Sequence, residues 1–153
     1  EDSLWQNLSR YCPRLWITQS IGCGMKLALG VEPVSYAEGD PVVDTAKYLE
    51  KRFKVMETFV GLNQELVGDA VAEALVLRME GKPFQKPLDK ISKEFKESVE
   101  QKKFDGWGPD IPTFAAQKGI RWRKSSPRRG PNRPSFLDTG TYKDAMGVEL
   151  KDA

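Results

Sequence analysis

Between Asp44 and Gly81 apolar residues recur every three or four positions: Tyr48, Leu49, Phe53, Met56, Phe59 and Val60, then Leu62, Leu66, Val67, Ala70, Val71, Ala74 and Leu75. That period gathers them on one side of a helix. Asp44 or Thr45 supplies a cap, and Gly61 interrupts the run. The pattern predicts one long bent helix or two helices meeting near Gly61. Its apolar face is broad, so it must be covered by strands of the same chain or by a neighbouring subunit. A narrower stripe, Leu88, Ile91, Phe95 and Val99, predicts a second amphipathic helix from Leu88 to about Lys103, with Lys82-Pro83 and Lys86-Pro87 as punctuation before it. Its polar side sets Asp89 four residues before Lys93 and Lys90 four before Glu94, pairs that contribute a few tenths of a kcal/mol each.

The N-terminal part alternates differently. Asp2-Ser3 ahead of Leu4, Trp5 and Leu8 reads as a short capped helix ending at Pro13. Leu15 to Ile21 is rich in β-branched and aromatic residues, and Met25 to Val31 is a second apolar run. With Gly22-Cys-Gly24 between them, the two read as a β-hairpin; a helical second half is the alternative. Glu38-Gly-Asp-Pro41 is a turn.

Past Phe104 the periodicity stops. Asp105-Gly-Trp-Gly-Pro-Asp-Ile-Pro112 is rich in turn formers, Thr113 to Gln117 is long enough for one helical turn, and Lys118-Gly119 ends it. Arg121 to Pro134 has almost no apolar side chain after Trp122, so it cannot build a core of its own and is expected as an extended arm. Phe136-Leu137 restores hydrophobicity, Asp138-Thr-Gly140 makes a turn, and structured chain returns from Thr141 to Leu150. These expectations assemble into an α+β fold: an N-terminal hairpin, central amphipathic helices, an extended basic arm and a C-terminal strand. One domain over residues 1–153, with the arm at 120–135, suits a chain of 153 residues.

Charge changes this picture more than composition does. The chain is 39% hydrophobic and 30% charged with a net charge of +2, which fits a globular protein. The charge is unevenly placed. No acidic residue occurs from Ile111 to Leu137, where Arg121, Arg123, Lys124, Arg128, Arg129 and Arg133 are gathered, while most acids lie between Glu32 and Glu100. Such separation favours head-to-tail contact between copies, or a polyanion at one end. Arginines beside Trp122 can follow a phosphate backbone while the indole stacks on a base. They can equally reach into an acidic groove of an adjacent subunit, where the planar guanidinium pairs with carboxylates, or remain a solvated loop.

Catalytic chemistry has little to build on. The chain has no histidine, which removes histidine-based triads and the commonest general base near neutral pH. Neither phosphate-loop string occurs, and Gly22-Cys-Gly24 suits a hairpin turn better than nucleotide binding. Asp105 and Asp110 flank Trp107 and could form a carboxylate pair, but aspartates beside glycine and proline serve local turns equally well. Cys12 and Cys23 make no disulfide framework and, without histidine, no zinc site; a reduced pair is the default. No apolar run approaches the roughly 20 residues of a membrane-spanning helix. The expectation is a protein without catalytic residues, metal or cofactor.

Two segments together resemble a known family. Phe104-Asp-Gly-Trp-Gly-Pro-Asp-Ile-Pro-Thr-Phe-Ala-Ala-Gln-Lys-Gly119 and Arg133-Pro-Ser-Phe-Leu-Asp-Thr-Gly-Thr-Tyr-Lys-Asp-Ala-Met146 are similar to stretches of the tailed-bacteriophage virion-morphogenesis and tail-completion proteins. Trp107, Pro109, Pro112, Thr113, Lys118 and Gly119 match the first part of that family's pattern. Pro134, Leu137, Asp138, Thr139 and Gly140 match the second, and Tyr142 takes the apolar position after it. Two features depart: Ala145-Met146 stands in place of a serine-hydrophobic pair, and the arm is longer and more basic. Residues 1–40 have no counterpart.

The resemblance implies a structural subunit of a phage neck or tail end: a tail-completion protein, tail terminator or head–tail connector. It implies a homo-oligomeric ring, on the order of six or twelve copies in closed symmetry, with neighbouring neck and tail proteins as partners and packaged DNA within reach of the arm. The expected location is the virion, after assembly in the host cytoplasm, with no membrane contact. Arg121, Arg123, Lys124, Arg128, Arg129 and Arg133 are then the candidate intersubunit residues, and Asp138, Thr139 and Gly140 the motif turn. Binding of nucleic acid by the arm is the alternative.

Overall fold

The two strand-like runs near the N-terminus do form a hairpin, and the C-terminal strand completes its sheet. The computed structural model describes residues 15–22, 24–32, 42–108, 110–121, 128–136 and 140–152, with the backbone alone at 15–17, 19, 22, 120, 121, 128 and 129. In chain order its elements begin with β1 (Leu15–Gly22), β2 (Met25–Val31), α1 (Val42–Phe53), α2 (Val55–Leu62) and α3 (Gln64–Met79). They continue with α4 (Gln85–Glu100), α5 (Phe114–Gln117), β3 (Ile120–Arg121), β4 (Arg128–Arg129), α6 (Thr141–Asp144) and β5 (Met146–Asp152). The expected helix at residues 2–8 and the turn at 38–41 lie outside the described residues.

The fold is α+β, as the patterning predicts. β1 pairs antiparallel with β2, Trp16 opposite Gly30 and Gln19 opposite Leu27. Gly24 has φ +70°, the left-handed backbone that a tight hairpin requires. β5 runs antiparallel on the other side of β2, giving the order β1-β2-β5. The register sets Leu27 against Leu150, Leu29 against Val148 and Val31 against Met146. Because side chains alternate across a strand, these residues share the face that joins the core.

Three helices occupy the span where the spacing predicts one or two. The breaks fall at Lys54 and Asn63, whereas Gly61 lies inside α2. Glu50 explains the first break. Its carboxylate, 1% exposed, reaches past the end of α1 and accepts the backbone N–H of Met56 at 2.9 Å and of Glu57 at 3.2 Å. It thereby caps the orphan donors at the start of α2. Lys54 turns the chain with φ 50°. Burial raises the Glu50 carboxyl above its ordinary range, while the two backbone bonds pull the other way.

The second amphipathic helix begins earlier than predicted. Pro87 sits at the third position of α4, within the first turn, where no backbone N–H is needed. Leu88, Ile91, Phe95 and Val99 are all fully buried. Phe95 meets Phe59, Phe104 and Tyr142 at ring separations of 5.3, 5.7 and 6.0 Å. The expected ion pairs within the helix are replaced. Lys90 reaches Glu73 on α3 at 2.7 Å, Glu94 takes Lys103 at 2.7 Å, and Lys93 lies 3.8 Å from Glu97. Neighbouring segments offer closer partners than the same helix does. α3 packs on α4, α4 on β5, and α1 on β1 and β2, so the core lies between the helices and the inner sheet face.

Candidate functional site

The basic arm leaves the body through a closed base, assembled from the chain on both sides of it. After α4 the chain turns through Lys102 at φ 57° and Gly106 at φ 92°, burying Phe104. Trp107 lies on Phe104 with ring centres 4.2 Å apart, and the Ile111-Pro112 peptide is cis. Thr113 then caps α5, its Oγ1 accepting the Ala116 N–H at 3.2 Å. Gly119, at φ +63°, ends the turn; a Cβ there would overlap the carbonyl of Gly130. Only glycine permits that crossing.

Three hydrogen bonds and a short ribbon shut the base. The Gly130 N–H donates to the Gly119 carbonyl at 2.9 Å, and the Arg133 N–H donates to the Ala116 carbonyl at 3.2 Å. The Ser135 hydroxyl, buried, accepts the Thr113 N–H at 3.1 Å. Between them, Ile120 pairs with Arg129 and Arg121 with Arg128 in a short antiparallel ribbon. Phe136 then locks the return strand into the core, 5.4 Å from Phe53 and 5.8 Å from Phe104. It does so at φ 65°, a conformation an aromatic residue adopts only when its surroundings impose it.

The predicted arm residues divide accordingly. Arg121, Arg128 and Arg129 place their backbones in the ribbon, while Arg133 is partly buried at the base with Nη1 3.5 Å from the Pro134 carbonyl. Arg123 and Lys124 lie outside the described residues, as do Trp122, Leu137, Asp138, Thr139 and both cysteines. The extended arm expected at residues 120–135 is thus a β-ribbon at its root. Of the expected turn, Gly140 alone is described, with φ +85°. Tyr142 is buried. Lys143, on α6, donates to Glu100 at the end of α4 at 2.8 Å and to Asp144 at 2.9 Å. Those two bonds raise its pKa above the ordinary lysine value.

Two clefts open on the described surface. A small one, about 120 Å³, is lined by Phe53, Trp107, Ile111 and others and bordered by Arg52 and Asp110, whose charges meet at 3.6 Å. Asp110 is therefore engaged by an arginine, and a carboxylate pair with Asp105 is not what its contact shows. The larger cleft, about 460 Å³, runs between α4 and β5, where Gln85 Nε2 donates to the Val148 carbonyl at 3.1 Å. Among the described residues no three cysteine or carboxylate groups gather as a metal site, and no helix is long and apolar enough to cross a membrane.

Sequence reasoning missed Ser135 as a latch and Glu50 as a cap. A charged residue on the apolar face of α1, four residues after Ala46, is the only signal Glu50 offers. Ser135 offers none, since its partner is 22 residues away. Phe114, 68% exposed beside the arm base, was also unmarked. The chain matches no protein-family model, no curated protein and no solved structure.

Proposed function

We propose that this chain is a non-catalytic structural subunit of a bacteriophage neck or tail end, serving in tail completion, tail termination or head–tail joining. Its copies assemble as a ring through contacts of the basic arm, and neighbouring neck and tail proteins are its other partners. The observation that supports this reading best is the closed base of the arm. A merely solvated loop has no need of a glycine-only crossing, a buried serine latch and an aromatic held at positive φ. A projection that carries load between subunits does, because a fixed root lowers the entropy lost on docking. The two segments that form the base are also those that resemble the phage family, which supplies the biological setting.

The test is the mass and shape of the purified full chain. Sedimentation at increasing concentration should yield one closed species, and negative-stain electron microscopy should image rings. A chain that remains monomeric and never associates with tails or connectors would refute the proposal.

The charge of the arm favours one other reading, binding to nucleic acid. That reading expects affinity for DNA or RNA that falls steeply with salt and is lost when Arg128, Arg129 and Arg133 are replaced by glutamine. Under the ring-subunit reading the same substitutions dissolve the oligomer instead.

A further inference from the structure

The outward face of α3 combines small residues, exposed apolar side chains and carboxylates in one strip. Val67, Ala70, Val71 and Ala74 bury one side of α3. On the opposite side Gly68, Ala72, Val76 and Met79 follow one another at spacings of four, four and three, which aligns them along the helix. Val76 is 55% exposed and Met79 87%. Glu65 and Asp69 run beside this strip.

Among the described residues nothing explains these choices. Glycine in a helix interior lowers stability relative to alanine, and a Cβ at Gly68 would meet nothing within 4 Å. No internal crowding demands the missing side chain. Glu65 and Asp69 are like charges four residues apart, a destabilising arrangement. Among the described residues neither has an ion-pair partner, although Glu73 is paired with Lys90 and Glu80 with Lys82. Each feature becomes useful when a second surface lies on the helix. Gly68 and Ala72 let a backbone approach closely, Val76 and Met79 offer apolar contact, and the two carboxylates await cations.

We propose that this face of α3 is the docking surface for the basic arm of a second copy of the chain. The inference rests on the ring-subunit reading above and adds to it the acceptor site. Charge decides the occupant. α3 carries Glu65, Asp69 and Glu73 and no basic residue before Arg78, whereas the arm carries six basic residues and no acid. A second copy of α3 would bring carboxylates against carboxylates. The arm brings guanidinium groups, whose stems cover Val76 and Met79 while their planar ends take the carboxylates. The described root of the chain's own arm lies elsewhere: β3 packs with α5 and β4, while α3 packs with α2 and α4. Arm to helix is a heterologous contact, the kind that closes a ring.

The experiment compares sedimentation of four full-length proteins, with circular dichroism melts to confirm folding. They are the wild type, an arm variant (Arg128→Glu with Arg129→Glu), a face variant (Glu65→Lys with Asp69→Lys), and the combination of all four substitutions. The arm and face variants should each weaken association at least tenfold, and the combined variant should recover it. If the face variant melts early, Gly68→Leu replaces it: its side chain enters open space in the monomer and should still weaken association at least tenfold. An arm variant that dissociates while the face variants stay assembled would overturn the α3 site and leave the ring reading intact. Failure of the combined variant to recover would likewise overturn the pairing of arm with α3. A wild type that is monomeric throughout would remove both.

Discussion

α3 and α4 are each 16 residues long and pack against one another, yet their outward faces differ in kind. α4 buries its whole apolar stripe, and its Lys90, Glu94 and Lys93 find ion-pair partners on α3, on the following turn and along its own surface. α3 buries a stripe too, but leaves Gly68, Val76 and Met79 open and, among the described residues, Glu65 and Asp69 without an ion-pair partner. The contrast separates what the fold requires from what it does not. A helix completed by its own chain resembles α4. The exposed apolar strip and open glycine of α3 are the features on which the proposed docking site rests.

The comparison breaks most sharply in the core. Phe95→Ala, in α4, removes a ring that touches three other aromatics and should cost about 3–5 kcal/mol. Val76→Ser, on the open face of α3, should stay within about 0.5 kcal/mol when measured in the dissociated protein. Urea unfolding of the two variants reads both numbers, and a large loss at Val76 would mean that α3 is covered internally after all.

Glu50 shows what a buried carboxylate looks like when the chain satisfies it, the reverse of Glu65 and Asp69. Glu50→Ala leaves the Met56 and Glu57 N–H groups without their acceptor and should cost about 1–3 kcal/mol. Its titration gives a second handle. The folded state raises this pKa, so the native protein holds the proton more tightly than the unfolded chain does. The resulting stability is present below the ordinary glutamate value and is lost as pH rises through the raised folded value. Wild-type stability should therefore fall across that window relative to Glu50→Gln. A difference between the two that is constant from about pH 4 to pH 7 would contradict the raised value.

Gly68→Ala sharpens the comparison in the opposite direction. In an arm variant that cannot assemble, it should stabilise the chain by about 0.5–1 kcal/mol in urea unfolding, because the added methyl meets only solvent. The smallest effect concerns Lys143, which ties α6 to α4. Its partner Glu100 is half exposed, so Lys143→Ala should cost less than about 1 kcal/mol. The raised lysine pKa makes this contribution complete below the ordinary lysine value, and alkaline titration through the folded value removes it. Melting curves at rising pH should show the variant and the wild type converging there.

The legible parts of the fold were those that repeat locally. Leu88, Ile91, Phe95 and Val99 announce a helix face because a 3.6-residue period lies within a few turns of chain. The β1–β2 hairpin is announced by its glycines. The helix breaks were not, because Glu50 caps α2 from the preceding helix and so makes a break at Lys54, while Gly61 is simply tolerated. The start of α4 was obscured by Pro87, which stops a helix in its interior but not in its first turn. At the candidate site, the basic residues and Gly140 could be read directly. The ribbon, the Gly119–Gly130 crossing and the Ser135 latch join residues well separated along the chain, and no periodicity encodes them. The open face of α3 was hidden for a different reason. Val76 and Met79 fall outside the apolar spacing read from the sequence, and only burial shows how far they are exposed.

The central claim is that the basic arm holds copies of the chain together, and native mass measurement tests it most directly. At high protein concentration the wild type should appear as one closed oligomer, an integral multiple of the 17.3 kDa chain. The Arg128→Glu, Arg129→Glu variant, with an unchanged circular dichroism spectrum, should appear as monomer. A wild type found only as monomer, or a variant that keeps the full oligomeric mass, would contradict the claim.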